Sequence, residues 1–578
     1  MASNCTEPAA TLVDHVQRHA SERANEVALE WLSGDNPVPV ARLTFSELNQ
    51  RAHALASSLE AAGLRNERVL LPFPPGLDFI VSFLGCLQSG AVPVPAAFPR
   101  NPRTIARTIA ILRDCTPALC LSSAAELAPL QNKLEPFSST AFASLEDHLT
   151  KPAALPAQPL SSPERSSVAY LQYTSGTGGT AKGVMVTHAN LLHNIRALQQ
   201  GCDHPVSAPF VSWLPQHHDM QLVTVIAQSL MLGTRCVLMS PVDFIQKPQR
   251  WLRAISREGA CFSGGPNFAF DHCVRQIPER ERTGLDLSQW QVAFNSSEKI
   301  RPATMQAFAT AFSRHGFTPT AWCPAYGLAE STAVVTGVHA REEPVISSNP
   351  ESGHDIVACG YPVPECEIRI VHPERLTPLD SGEIGEVWIH GTSVARGYWN
   401  RPVESAATFA VRLADDSASG PFLRSGDLGF VDESGRLFLT GRLKNLIVIR
   451  GIKHQAEDLE SGLEEFHPAI RPAGIAAFSV DRDGDREELV ICAEMEREHR
   501  HAPDIDAIVE ACQIAVNRDH DLVLDHLVLL KPGGLPRTTS GKLQRQTCRH
   551  QFSQSSFDSI AQWHRIARLP RPDITSTV

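Results

Sequence analysis

Short apolar runs alternate with amphipathic helical patterns along most of this chain, and that alternation confines it to an α/β architecture before any motif is weighed. The stretch LTFSELNQRAHALASSLEAAG marks one helix at both ends. Thr44 and Glu47 form a capping box, Leu48, Ala52, Leu55 and Leu59 make the apolar stripe, and Gly63 stops it. The strand VLLPF follows at Val69, then a helix through LDFIVSFLGCLQSG leading into AVPVP. VAYLQY and VMV read as strands flanking a glycine-rich loop, the second entering a helix capped by Thr187. Beyond GRLKN the pattern changes. IAAFSV from Ile475 and LVICAE from Leu489 are strands around the turn DRDGDREE, and HLVLL is another. Between them a helix carries Ile505, Ile508, Val509, Cys512 and Val516 at helical spacing. This is a small α+β lobe. A chain of 578 residues exceeds one compact core, so at least two domains are expected.

Composition excludes several classes. The net charge of −11 leaves no basic stripe for nucleic acid. Hydrophobic content of 43% and charged content of 20% are those of an ordinary globular protein. The 14 cysteines are scattered, and the nearest pair, Cys115 and Cys120, lacks zinc-type spacing. Reduced thiols and a cytoplasmic location are expected. MASNCTEPAATLVDHVQRH has no signal-peptide pattern, and no long apolar run predicts a membrane span. The Pro- and Ser-rich LTKPAALPAQPLSSPE, ending at Glu164, reads as a surface connection between sublobes.

The loop YTSGTGGTAKGV, from Tyr173 to Val184, combines glycines, hydroxyls and Lys182. Backbone N–H groups in such a turn between strands can converge on an anion. Yet Gly183 follows Lys182 where the Walker pattern has the Ser or Thr that holds magnesium. A phosphate site here must take its metal ligand from another part of the chain. Taken alone, the loop is a moderate signal, and a Gly/Ser/Thr surface loop is the alternative reading.

Further stretches follow in a fixed order: SWLPQHHDMQLV from Ser212, GGPNFAFDHCV from Gly264, LDLSQWQVAFNSSEKIRP from Leu285 and AYGLAEST from Ala325. RSGDLGFVDESGRLFLTGRLKNLIVIRGIKHQAEDLE begins at Arg424 and LPRTTSGKLQR at Leu535. Together they resemble the adenylate-forming acyl ligases, and within them most closely the fatty acyl-AMP ligases, over essentially the whole chain. The resemblance implies a large multi-lobed N-terminal domain with mixed sheets flanked by helices, residues 1–442, that binds ATP and the acyl group. A small mobile α+β domain, residues 443–578, would turn on a hinge at Lys444.

Site roles follow from the same resemblance. Thr174, Ser175, Gly176, Thr177, Gly178, Gly179 and Lys182 would hold the β- and γ-phosphates of ATP. Ser296 and Ser297 would flank adenine, with Tyr326 stacked on it and Gly327 and Ser331 beside it. Glu330 would bind Mg²⁺, which answers the ligand missing next to Lys182. Asp427 and Arg442 would hold the ribose, Lys542 would be the catalytic lysine, and His218 would line the junction of acyl group and ATP. On the residues alone, other readings stay open. His217, His218 and Asp219 could make a metal site, Asn267 and Phe268 could be turn and core residues, and Asp427 could be an ordinary turn aspartate.

The implied reaction joins a fatty acid to AMP, then passes the acyl group to the phosphopantetheine thiol of a holo acyl carrier protein serving a polyketide or nonribosomal peptide pathway. Arg442, Lys444, Arg450 and Lys453 form a local basic cluster that would suit an acidic carrier. Two departures bear on this. Asn445 stands where relatives often have aspartate, and only 30 positions separate Glu330 from Gly360, where fatty acyl-AMP ligases usually carry an extra segment. A fatty acyl-CoA ligase is therefore the alternative acceptor reading, and an inactive nucleotide-binding relative the third.

Overall fold

A computed structural model of the chain describes residues 11–150, 162–174, 181–202, 208–339, 341–351, 353–414, 419–449, 452–464, 466–482, 486–501, 503–538 and 541–565. It divides into two compact units, the larger running to Thr440 and the smaller beginning at Gly441.

The larger unit is built on a nine-stranded sheet. From one edge its order is Tyr361–Pro362, Thr336–Gly337, Trp322–Tyr326, Val292–Asn295, Phe262–Gly265, Phe210–Ser212, Cys236–Leu238, Val27–Trp31 and Ala41–Thr44. The six strands from Trp322–Tyr326 to Val27–Trp31 are parallel to one another, with antiparallel pairing at both edges. Strands such as Val292–Asn295 are buried along their whole length, as expected where helices cover both faces of a sheet. A second, parallel sheet orders Val92–Pro95, Arg68–Leu71, Leu119–Ser122 and Ala141–Ser144. A third orders Cys366–Val371, Gly385–Gly391, Leu423–Val431 and Leu437–Arg442.

Local chemistry explains the best-marked elements. The helix Phe45–Ala61 begins at Thr44, whose hydroxyl accepts the Glu47 N–H while Glu47 reaches back to the Thr44 N–H. Its stripe of Leu48, Ala52, Leu55 and Leu59 is buried. Asn190 N–H donates to Thr187 Oγ1 at 3.1 Å at the start of the helix His188–Cys202. Between Glu330 and Gly360, beyond the strand Thr336–Gly337, Ile346–Ser348 pairs antiparallel with Asp355–Val357. Ile356 and Ala358 pack on Phe430 and Phe438.

The smaller unit is an α+β lobe. Ile470–Arg482 and Arg486–Met495 pair antiparallel, His526–Leu530 lies parallel to the second, and Ser559–His564 closes the sheet. The helix Ile505–His520, capped by Asp504, buries Ile508, Val509, Cys512 and Val516 in this unit's own core.

Burial of imidazoles makes stability depend on pH. Burial pushes His188 down to about 4 and His217 down to about 3, so both are neutral in the fold. A histidine depressed in the folded state gives stability that is full above the unfolded value near 6.5 and lost as pH falls below it. For His188, 3% exposed, the loss is up to about 1.4 kcal/mol per pH unit. The melting temperature is expected to drop between pH 7 and pH 5, and His188→Gln should flatten that slope. A Tm independent of pH over this interval would contradict the assignment.

Candidate active site

The quoted motifs converge because of sheet topology. Trp322–Tyr326, Val292–Asn295, Phe262–Gly265 and Phe210–Ser212 are successive parallel neighbours. Their carboxyl ends run into Gly327, Ser296, Pro266 and Trp213 respectively, so four motifs open on one side of the sheet. The crevice outside the carboxyl ends of the strands is where open α/β sheets bind ligands.

Asn267 braces this edge. Its Oδ1 accepts Asn295 Nδ2 at 3.3 Å and the Arg301 N–H at 3.1 Å, and its Nδ2 donates to Thr304 Oγ1 at 3.2 Å. The loop it supports holds Ser297 at φ +75°, a left-handed conformation that costs a residue with a side chain of order 1 kcal/mol. Phe268 stands edge-on to Trp213, ring centroids 6.0 Å apart, and its N–H donates to Glu298 Oε1 at 2.6 Å. Thus Asn267 is a buried hub and Phe268 packs on the core beside it.

Tyr326 and Asp427, 101 residues apart, meet: the phenol donates to Asp427 Oδ2 at 2.7 Å, and both are almost fully buried. Asp427 is not in a turn. It lies within the strand Leu423–Val431, where register with Gly385–Gly391 shifts at a bulge, and its N–H donates to Ser425 Oγ at 3.0 Å. Buried Glu386 fixes that bulge by accepting both Arg424 and the Gly426 N–H. Gly327 must be glycine, because a Cβ would sit 1.7 Å from the Ala333 carbonyl oxygen. Ser331 Oγ and Asn295 Oδ1 are buried without a hydrogen-bond partner among the described residues, as donors and acceptors awaiting a polar ligand would be.

Glu330 Oε1 accepts the Tyr398 phenol at 2.9 Å. The same tyrosine ring lies 4.9 Å from Lys182 Nζ, and Lys182 pairs with Glu404 at 2.5 Å. Arg401 bridges Glu404 at 2.9 Å and Asp114 at 3.0 Å, and Tyr173 donates to Asp114 at 2.6 Å. Lys182, with Arg401, holds the Glu404 carboxyl below its ordinary range. Gly183 is required here as well, since a Cβ would meet the Tyr173 ring at 2.8 Å. Thr174 and Lys182 face each other at the ends of the two strands. Ser175, Gly176, Thr177, Gly178 and Gly179 lie outside the described residues. Tyr398, Arg401 and Glu404 escaped the sequence reading, because their partners are distant in the chain.

His218 caps the short helix Asp219–Gln221, which continues as a wide π-helical turn over Leu222–Ala227. Its Nδ1 lies 2.6 Å from Asp219 Oδ1 and 3.3 Å from the Met220 nitrogen. The Met220 N–H also reaches Asp219 Oδ1, at 2.7 Å. No group of three or more His, Cys, Asp or Glu side chains arranged for a metal occurs among the described residues.

In the smaller unit, Lys542 sits on a closed loop. Thr538 N–H donates to the Lys542 carbonyl at 2.7 Å, and Lys542 N–H donates to Thr538 Oγ1 at 3.0 Å. Arg442 precedes the single turn Leu443–Asn445, where the Lys444 carbonyl accepts Gln546 Nε2 at 3.2 Å. Asn445 Nδ2 donates to Glu457 at 2.8 Å. Arg450 lies outside the described residues.

Residues 16–399 match the AMP-binding enzyme family, and residues 444–562 match a family described as Disco-interacting protein 2-like, AMP domain. The medium-chain-fatty-acid–[acyl-carrier-protein] ligase JamA of Moorena producens is 37% identical, covering 96% of each chain. The long-chain-fatty-acid–AMP ligase FadD26 of Mycobacterium marinum is 34% identical over 94% of this chain and 97% of that protein. A putative fatty-acid–CoA ligase, fadD21 of Mycobacterium leprae, is 35% identical over 90% of this chain and 93% of its own. The crystal structure of fatty acyl-adenylate ligase from Legionella pneumophila with acyl adenylate and pyrophosphate superposes with a TM-score of 0.72 at 34% identity, covering 96% and 98% of the two chains. The chain is a member of the AMP-binding enzyme family and, within it, a fatty acyl-AMP ligase.

Proposed function

We propose that the protein condenses a medium- to long-chain fatty acid with ATP to give fatty acyl-AMP and pyrophosphate, then transfers the acyl group to the phosphopantetheine thiol of an acyl carrier protein. The observation that carries this reading is the placement of Lys182 and Glu330 on one tyrosine, with Tyr326 and Asp427 paired in the same unit. The name of the relative JamA supports the carrier-protein acceptor.

In the first step a carboxylate oxygen attacks the α-phosphorus and the α–β bond breaks, releasing pyrophosphate. Two anions must approach, so cations decide the rate. Lys182 exchanges Glu404 for the β- and γ-phosphates. Tyr326 presents its ring to adenine, with Ser296, Ser297, Gly327 and Ser331 around the base. Asp427 accepts the ribose hydroxyls, aided by Arg442, and this clamp acts by alignment. Lys542 stands at the reacting phosphorus, and His218 lines the acyl side. Glu330 fits magnesium, because one carboxylate plus substrate phosphate oxygens is the usual nucleotide arrangement and needs no protein cluster. Bound there, the metal supplies charge neutralisation on the phosphates. In the second step the small domain turns about Lys444, the thiol sulfur attacks the acyl carbon, and AMP leaves.

The short stretch between Glu330 and Gly360, with the name of the fadD21 relative, favours a second reading in which free CoA is the acceptor. Free, unpaired cysteines throughout the described residues suit a reducing, cytoplasmic setting. No described helix is long and apolar enough to cross a membrane.

The decisive experiment incubates the protein with ATP, Mg²⁺ and radiolabelled dodecanoate, adding either CoA or a holo carrier protein. Acyl-AMP that persists with CoA and passes to the carrier is expected. Rapid acyl-CoA formation would replace this proposal with the second reading. Failure to form acyl-AMP from any fatty acid would overturn both.

A further inference from the structure

The segment from Ala395 to Trp399 joins two parts of the site through its main chain. Ala395 N–H donates to the Glu330 carbonyl at 2.9 Å. On its other side Met185 N–H donates to the Gly397 carbonyl at 2.8 Å, and Trp399 N–H to the Gly183 carbonyl at 2.7 Å. Tyr398 bridges Val184 in this added strand pairing. Its side chain is therefore carried between the Glu330 loop and the Lys182 strand, 6% exposed, with Phe409 edge-on at 5.0 Å.

We propose that Tyr398 is a positioning residue that holds the Glu330 carboxylate through its hydroxyl and the Lys182 ammonium through its ring, fixing the spacing of the two charges that meet a metal–polyphosphate. This rests on the reading of Glu330 as the magnesium carboxylate and of Lys182 as the phosphate lysine. The two contacts are of different chemistry, a hydrogen bond to a charged acceptor and a cation over a ring face. Each can be removed separately. Glu404, 2.5 Å from Lys182 Nζ, is the counter-ion that phosphate oxygens replace.

The test is calorimetric titration of ATP into the protein without fatty acid, so that no chemistry occurs, once with Mg²⁺ and once with EDTA. Tyr398→Phe keeps the ring and removes only the hydroxyl. It is expected to weaken binding about tenfold with Mg²⁺ and to leave binding in EDTA near wild type. Tyr398→Leu also removes the ring and should weaken binding in both titrations; unchanged binding in EDTA would overturn the ring's role. Tyr398→Phe that matches wild type in both titrations, while Glu330→Gln weakens only the Mg²⁺ titration, would overturn the proposal and leave the metal reading intact. A silent Glu330→Gln would overturn the metal reading and this proposal with it.

Discussion

Lys542→Ala is expected to slow fatty acyl-AMP formation by about 10²–10³-fold, the usual effect of removing one preorganised charge from a developing anion. Folding should survive the change. The Lys542 main chain is tied to the Thr538 N–H and hydroxyl, and Arg537 donates to the Gly541 carbonyl at 3.1 Å and to the Ala473 carbonyl. None of these contacts uses the lysine side chain. Pyrophosphate release under single-turnover conditions measures the defect, and thermal unfolding checks the fold. Transfer of the acyl group from preformed acyl-AMP to the carrier should proceed at the wild-type rate, because the lysine has left by then. An adenylation rate within a few-fold of wild type would remove Lys542 from the reacting phosphorus.

The largest effect on stability is expected from Arg545→Ala. Arg545 lies at the start of the helix Arg545–Ser553, just after the Lys542 loop, and its guanidinium is largely buried. It reaches Glu457 at 2.8 Å and Glu460 at 2.5 and 2.7 Å. Glu460 also accepts the Ala477 N–H at 2.9 Å, and Glu457 accepts Asn445 at 2.8 Å. Truncating the arginine leaves two enclosed carboxylates without their counter-ion, a loss of about 3–5 kcal/mol for a buried pair. Burial already pushes the Glu460 carboxyl up, and removing Arg545 pushes it further. A carboxyl raised in the fold favours the folded state in acid, so the defect should be largest at neutral pH and shrink as pH falls through the raised value. Amide exchange in the strands Ile470–Arg482 and Arg486–Met495 reads the smaller unit alone. An opening free energy within about 1 kcal/mol of wild type would show that the network is a solvated cluster of the surface kind.

What was legible in the sequence had local causes. The helix Phe45–Ala61 carries its cap and its apolar period within its own residues. The strands of the smaller unit and the helix Ile505–His520 were legible for the same reason. Phe210–Ser212 and Cys236–Leu238 are three residues each and buried on every side, so they show no alternation to read. The π-helical turn at Leu222–Ala227 has no sequence period of its own. Asp427 looked like a turn residue because Ser-Gly-Asp is turn chemistry, yet Glu386 holds that stretch as a bulge inside a strand. For the candidate site, motif order pointed to Lys182, Tyr326, Glu330 and Asp427. It could not supply Tyr398, Arg401 or Glu404, whose meaning depends on partners that only the fold brings near.

Tyr398 stands 68 residues beyond Glu330, and Arg401 stands 287 residues beyond Asp114. A chain emerging from the ribosome thus presents its glycine loop, Lys182 and Glu330 before the segment that ties them together exists. At synthesis rates of about 5–20 residues per second, that interval lasts several seconds. During it the lysine strand lacks its added pairing and the carboxylate lacks its phenol. The order of synthesis therefore postpones assembly of the charged centre until most of the large unit has been made.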